Sequence, residues 1–374
     1  MNIVSRIKSG ATNARSYLSL FAVLTVGCVQ APSADDIGDC EPLNGVKPVC
    51  GFQNPEDLEV MPGDRLLIVS EYRGGRGATQ GALLSYHIAD ETIERLFPLN
   101  NEAPKLNEDN VWGDPNCPKL PFDSFAPHGI HHSSEVGVER LLVVNHGARE
   151  SIELFEVMIT EDGNSVGIEW RGCVTAPENV WFNDVVGLPN GGLAATHMLS
   201  RDSTVEQILS IEASKEDAGY VVEWQPTSGW REIPGSKGVL PNGIEVSPNG
   251  ETLYVNDYLG GKIFALSRQS GKRLWSIDAE KPDNSSWTAD GKLLVAIHQG
   301  TNLATVFECG ESGEPYCPIA YEIIEVDPQT GDYKSIAKGS GAPMAAATVA
   351  VQIGTTLYLG SYAGERMGIL ERNP

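Results

Sequence analysis

One arrangement of polar and apolar positions recurs along the chain. A polar or small cluster leads into an apolar strand; a Gly/Asn/Asp turn follows, then a second apolar strand. The copies are "PEDLEVMPGDRLLIVSEY" from Pro55, "PHGIHHSSEVGVERLLVVNHG" from Pro127 and "FNDVVGLPNGGLAATHM" from Phe182. They continue as "PNGIEVSPNGETLYVNDY" from Pro241, "PDNSSWTADGKLLVAIHQG" from Pro282 and "AAATVAVQIGTTLYLGSY" from Ala345. That makes six copies, separated by roughly 40–70 residues. Strand, tight turn and strand at this period predict propeller blades. The turns "SPNGET", "TADGKL" and "LPNGGL" strengthen the reading, because Asn-Gly and Asp-Gly supply the positive φ that hairpins need. Intervening stretches such as "KIFALSRQSGKRLWSIDA" supply outer strands. The expectation is an all-β, six-bladed β-propeller over residues 46–374. A large β-sandwich would not explain six copies of one pattern.

Composition agrees. The 374 residues contain Gly 40 and Pro 23, which suits a turn-rich fold, and no long amphipathic stripe suggests a helical one. Lys+Arg 27 against Asp+Glu 50 makes the chain strongly acidic, which excludes nucleic acid as an expected partner. Some of those carboxylates are candidates to hold a hard cation.

The N-terminus reads as an export signal: Arg6, Lys8 and Arg15 precede the apolar "YLSLFAVLTVGC", which is too short for a permanent membrane span. "LTVGC" resembles a bacterial lipobox, which makes residues 1–27 a lipoprotein-type signal and Cys28 the lipidated first residue. The Thr three positions before Cys28 departs from the usual Leu and leaves ordinary cleavage nearby open. Loss of residues 1–27 leaves 24 basic and 50 acidic residues, a formal charge of −26. Residues 28–45 read as a flexible polar tether. The expected location is an anchored outer-membrane lipoprotein, otherwise periplasmic or secreted, with membrane association through the N-terminal lipid.

Six cysteines remain, without zinc-type spacing, and export predicts three disulfides. Cys309–Cys317 flank a turn, Cys40–Cys50 is the next most local pair, and Cys117–Cys173 follows by elimination.

In a propeller the innermost strands converge on the axis. The residues that open the copies are Glu56–Asp57, His128, Asn183–Asp184, Asn242, Asp283–Asn284 and Ala345–Ala346. Singly, an Asn or Asp before a strand is a turn residue bonding its own backbone. Five of six in register on a closed ring point instead to ligands, and this oxygen-rich set suits calcium better than zinc or magnesium.

This column and its neighbours resemble the paraoxonases (serum arylesterase/lactonases), within the wider group that includes senescence marker protein 30 and gluconolactonase. The matching stretches are "EDLEVMP", "PHGI", "LLVVNHGARESIELFEV", "NDVVGLP", "NGIEVSPNGETLYVNDYLGGKIFAL" and "DNSSWTADGKLLVAIHQG", in the family's order across about residues 54–362. The resemblance implies two calcium ions. Glu56, Asn183, Asn242, Asp283 and Asn284 would hold the catalytic one. Asp57, Asp184 and the backbone carbonyl of Ile130 would hold a structural one. The family's histidine pair maps onto His128 and His146.

The implied activity is calcium-dependent hydrolysis of a small-molecule lactone or aryl ester. His128 is the expected base and His146 its orienting partner, with Asp283 an alternative base. His197 and His298 end second strands and are candidates to line the pocket. His131 and His132 are expected as strand passengers and His87 at the surface. No P-loop or dinucleotide fingerprint is present. Two alternatives stay open: a sugar-lactone hydrolase of the gluconolactonase kind, and a non-catalytic binding propeller stabilised by calcium. The chain departs from its mammalian relatives at the C-terminus, which has no cysteine, so another device must close the ring. Residues 199–230 stand where relatives carry a helix and lid, and are more polar here.

Overall fold

The computed structural model describes residues 40–372 except 74–79, 100–110, 121, 136 and 313–316. The expected signal segment and Cys28 lie outside the described residues.

Six antiparallel sheets form a ring. Blade 1 comprises β2 (Pro55–Val60), β3 (Leu66–Glu71), β4 (Ala82–His87) and β5 (Ile93–Phe97). Blade 2 comprises β7 (Pro127–Glu135), β8 (Val138–Asn145), β9 (Ser151–Ile159) and β10 (Val166–Thr175), with the short β6 (Trp112–Gly113) parallel to β10 at its edge. Blade 3 is β11 (Val180–Gly187), β12 (Leu193–Ser200), β13 (Tyr220–Gln225) and β14 (Gly229–Glu232). Blade 4 is β15 (Pro241–Val246), β16 (Thr252–Asp257), β17 (Lys262–Ser267) and β18 (Arg273–Asp278). Blade 5 is β19 (Pro282–Trp287), β20 (Leu293–Gln299), β21 (Ala320–Val326) and β22 (Tyr333–Ser340). Blade 6 is β23 (Ala347–Ile353), β24 (Thr356–Ser361) and β25 (Arg366–Glu371), completed by β1 (Val46–Cys50) from the start of the domain. The innermost strands pack in a closed cycle, β2 on β7, β11, β15, β19, β23 and back to β2.

Ring closure is therefore by hydrogen bonds. β1 pairs antiparallel with β25, Val46 opposite Leu370 through Cys50 opposite Arg366. The Cys40–Cys50 disulfide ties the segment before β1 to that strand, and Leu43 bridges Val46, so residues 40–45 of the expected tether sit against the propeller. Cys117–Cys173 and Cys309–Cys317 also form as the sequence suggested.

Burial explains the arrangement. Each strand faces two neighbouring blades, and one apolar cluster fills each of the six seams, for example Phe97, Phe125 and Phe155 between blades 1 and 2. At Gly250 and Gly291 the hairpin turns take φ +72° and +76°, the conformation their Asn-Gly and Asp-Gly sequences anticipate.

Two differences from the sequence reading stand out. The stretch 199–230 is not one insertion. Its helix, α1 (Val205–Ser214), is set by a Thr204/Gln207 capping box, while Tyr220–Gln225 and Gly229–Glu232 are ordinary outer strands of blade 3. A second helix, α2 (Leu303–Ser312), follows β20. The helices meet where the Leu303 N–H donates to Glu212 (3.0 Å to Oε2), which also pairs with Lys281 at 3.2 Å. Ile208 of α1, Leu303 of α2, Met198, Leu240 and Tyr258 form an apolar roof beside the axis.

Candidate functional site

Every innermost strand breaks register with its neighbour at its N-terminal end. The breaks fall at Pro55/Asp57, Pro127/Ile130, Phe182/Val185, Pro241/Ile244, Pro282/Ser285 and Ala347/Ala350. A β-bulge re-aims the side chains within it. Glu56, His128, Asn183, Asn242, Asp283 and Asn284 all stand inside these bulges. The last copy is corrected by the same geometry: its bulge contains Thr348 and Val349, not Ala345 and Ala346.

A bulge also frees backbone carbonyls from the ladder, and short side chains of the preceding blade capture them. Ser70 Oγ donates to the His128 carbonyl at 2.5 Å and Thr196 Oγ1 to that of Asn242 at 2.5 Å. The Asn256 amide donates to the Asp283 carbonyl, and Thr348 Oγ1 to that of Glu56 at 2.5 Å. The ligand-type residues are thereby stitched in place blade to blade.

Glu56, Asn183, Asn242, Asp283 and Asn284 are all buried in the bulges at the N-terminal ends of innermost strands. Their nitrogen ends are engaged. Asn284 Nδ2 donates to Glu56 Oε1 at 2.6 Å, Asn183 Nδ2 meets Met198 Sδ at 3.7 Å, and the Asn242 side chain bonds the Asp283 carboxylate. Their oxygen ends are not: Glu56 Oε2 and the Oδ1 atoms of Asn183, Asn242 and Asn284 are buried without a partner. One such acceptor costs about 1–3 kcal/mol. These four, from three neutral amides and one carboxylate, form a cradle that together with the Asp283 carboxylate matches the donor set of a hard cation. Burial raises Glu56 well above the usual carboxylate range and Asp283 to about 8, so an added positive charge would stabilise both as anions.

The second set is held differently. Asp57 accepts the N–H groups of Leu58 (2.9 Å) and Ile130 (2.7 Å), and Asp184 those of Val185 (2.7 Å) and Ile244 (2.8 Å). Each carboxylate thus clamps an innermost strand of the next blade, Asp57 through the Ile130 amide and Asp184 through that of Ile244. All four oxygens have partners, so the unpartnered acceptors that mark the first set are not repeated here.

His128 Nδ1 lies 2.8 Å from His146 Nε2, and both rings are buried. His128 Nε2 points to the cradle, 3.8 Å from Glu56 Oε1. Burial, then the neighbouring His146, hold His128 well below the ordinary imidazole value, so it is a neutral ring. Tyr72 stacks on it at 4.4 Å. His146 Nδ1 is 3.0 and 3.1 Å from the two oxygens of Glu150, a buried residue that the sequence reading missed. Its only local signal is a Glu four residues after His146 in "HGARE".

His298 stands across the cradle, its Nε2 3.5 Å from Asp283 and its Nδ1 2.9 Å from the Tyr258 hydroxyl. His197 lies nearer the histidine pair, accepting the Trp181 N–H at 3.3 Å and packing on Tyr220. His131 and His132 are remote from the cradle. His132 pairs with Glu139 at 2.7 Å. His131 lines a separate cavity of about 440 Å³ with Ser133, Arg140 and Trp287, at the C-terminal ends of innermost strands. His87 ends β4, 3.7 Å from Glu94.

Fold and site together define a six-bladed propeller with an oxygen-lined cradle beside a histidine pair. Residues 142–316 match the family described as SMP-30/Gluconolactonase/LRE-like region. The human serum paraoxonase/arylesterase 1 is 25% identical over 277 residues, 70% of each chain. A luciferin-regenerating enzyme shares the fold with TM-score 0.50 at 13% identity, over 86% of this chain and 92% of its own. A gluconolactonase from Xanthomonas campestris aligns with TM-score 0.49 at 14% identity, over 88% and 89%. The family model and the paraoxonase match support the resemblance drawn from the sequence: the chain is similar to the SMP-30/gluconolactonase-like family and, more distantly, to a paraoxonase.

Proposed function

We propose that the protein is a calcium-dependent hydrolase of lactones and aryl esters. The observation that carries the reading is the set of four buried, unpartnered acceptor oxygens on Glu56, Asn183, Asn242 and Asn284, next to the hydrogen-bonded pair of His128 and His146. Calcium held by these residues and Asp283 would supply Lewis acidity toward the substrate carbonyl.

The chain's own groups do the rest. His128 takes the proton of the attacking water at Nε2, the ring nitrogen on the cradle side. His146 holds His128 Nδ1 and so fixes the ring's direction. Tyr72 and the roof around Met198 and Tyr258 restrict water around the reacting carbonyl.

A panel of aliphatic lactones, aldonolactones and phenyl acetate, assayed with calcium and with EGTA, tests the proposal. Aliphatic lactones and phenyl acetate are expected to be hydrolysed, with loss of activity in EGTA and recovery on adding calcium. Turnover of aldonolactones alone would select the sugar-lactone reading. Calcium-dependent stability without any turnover would select a binding propeller. Full activity without metal would refute calcium dependence.

We also propose export with lipidation at Cys28, on the lipobox-like "LTVGC". Cys28→Ala should abolish incorporation of a labelled fatty acid and release the chain from membranes. Unchanged labelling would place the modification elsewhere.

A further inference from the structure

We propose that Glu150 is a positioning residue that fixes which nitrogen of each histidine carries its proton, and so leaves His128 Nε2 bare toward the cradle. The inference rests on the hydrolase reading for its kinetic consequence, but not for the proton arrangement itself.

Glu150 lies on the turn after β8, buried, with both oxygens within 3.1 Å of His146 Nδ1. Its Oε1 also accepts the Phe182 N–H at 2.8 Å, which holds the carboxylate to the first residues of β11. Arg201 Nη1 stands 3.8 Å from Oε2. An ionised carboxylate only accepts hydrogen bonds, so the shared proton must sit on His146 Nδ1. In a neutral His146 ring Nε2 is then an acceptor. The 2.8 Å contact with His128 Nδ1 therefore requires the proton on His128 Nδ1. What remains is the lone pair on His128 Nε2, on the side of Glu56.

One group competes. The Trp181 indole N–H points at the same His146 Nδ1, at 3.1 Å. If it donated there, every proton in the chain would shift and His128 Nε2 would be capped by hydrogen. The charged carboxylate prevails, because a charge-assisted bond is about twice as strong as a neutral one.

Glu150→Gln keeps the shape and removes that advantage. The Phe182 N–H still demands an acceptor, so the Gln oxygen faces it and the Gln NH₂ turns to His146 Nδ1. Trp181 and the new amide then both donate to Nδ1, and the proton chain reverses. An analogous acid-to-amide change at a triad histidine lowers kcat by about 10⁴. A fall in kcat of about 10³–10⁴ is expected here, with KM within about twofold.

The experiment pairs kinetics on the full chain with ¹⁵N chemical shifts of the ring nitrogens, assigned through single histidine variants. In the wild type His128 and His146 are expected as Nδ1–H forms; in Glu150→Gln both become Nε2–H forms, while the melting temperature is kept. Glu150→Asp retains an acceptor and should keep the Nδ1–H forms and part of the activity. Nε2–H rings in the wild type, or wild-type kcat in Glu150→Gln, would overturn the proposal. Nδ1–H rings in a protein that hydrolyses no lactone or ester would uphold the proton arrangement and refute only the function built on it. Should Glu150→Gln fail to fold, the wild-type and Glu150→Asp spectra still decide.

Discussion

His128→Gln is expected to lower kcat for lactone hydrolysis by about 10²–10⁴, the usual contribution of a positioned general base. The ring is buried, neutral and held by His146, with Nε2 on the cradle side. Glutamine preserves polarity and approximate volume but offers no basic nitrogen. Because the variant leaves every cradle oxygen in place, calcium should stabilise it as it does the wild type. That second measurement separates loss of the base from loss of the metal. Wild-type turnover in His128→Gln would move the base to Asp283, whose carboxylate also faces the cradle across from His298.

The second large effect is thermodynamic and needs no substrate. Calcium at about 100 times its dissociation constant should stabilise the wild type by about 2.7 kcal/mol, read as a rise in melting temperature over EGTA-treated protein. Asn183→Leu should reverse the balance. It deletes one acceptor from the cradle, so most of the calcium-dependent gain should disappear. It also deletes a buried oxygen with no partner in the metal-free protein, worth about 1–3 kcal/mol. In EGTA the variant should therefore be at least as stable as the wild type, and in calcium less stable. Magnesium at equal concentration controls for screening of the acidic surface. A wild type that gains nothing from calcium, or a variant that gains as much, would refute the cradle.

The propeller was legible because its information is local and repeated. Alternation of apolar and polar positions defines a strand, Asn-Gly and Asp-Gly define its turn, and six copies leave few architectures that bury them all. The ligand column was legible for the same reason: Glu56, Asn183, Asn242 and Asp283 occupy one position of the repeat. The last copy was read out of register, since "MAAATVAV" carries no polar marker until Thr348. Residues 199–230 misled because a helix and two blade strands share one polar composition, and neither composition nor charge marks where the roof ends and the sheet resumes.

Other features had no local signal. Glu150 is one of many glutamates in the sequence. Its meaning depends on a turn that points it back at His146 and on the Phe182 N–H arriving from another blade. Asp57 and Asp184 carry the ligand chemistry the column suggested, and each also binds the backbone N–H of a neighbouring blade, a contact with no local signal. Closure of the ring by β1 against β25 joins segments at opposite ends of the domain.

The sequence by itself determined the repeat, the strands and turns, the cysteine pairs and the residue types that line the axis. These follow from period-2 alternation, turn chemistry and composition, which act over a few residues. Tertiary structure decided which oxygens of those residues are left unpartnered, which are bound to a neighbouring backbone, and which histidine nitrogen faces the cradle. Those choices are made where blades meet, by hydrogen bonds between groups tens to hundreds of residues apart, such as Thr348 to Glu56 and Asn284 to Glu56.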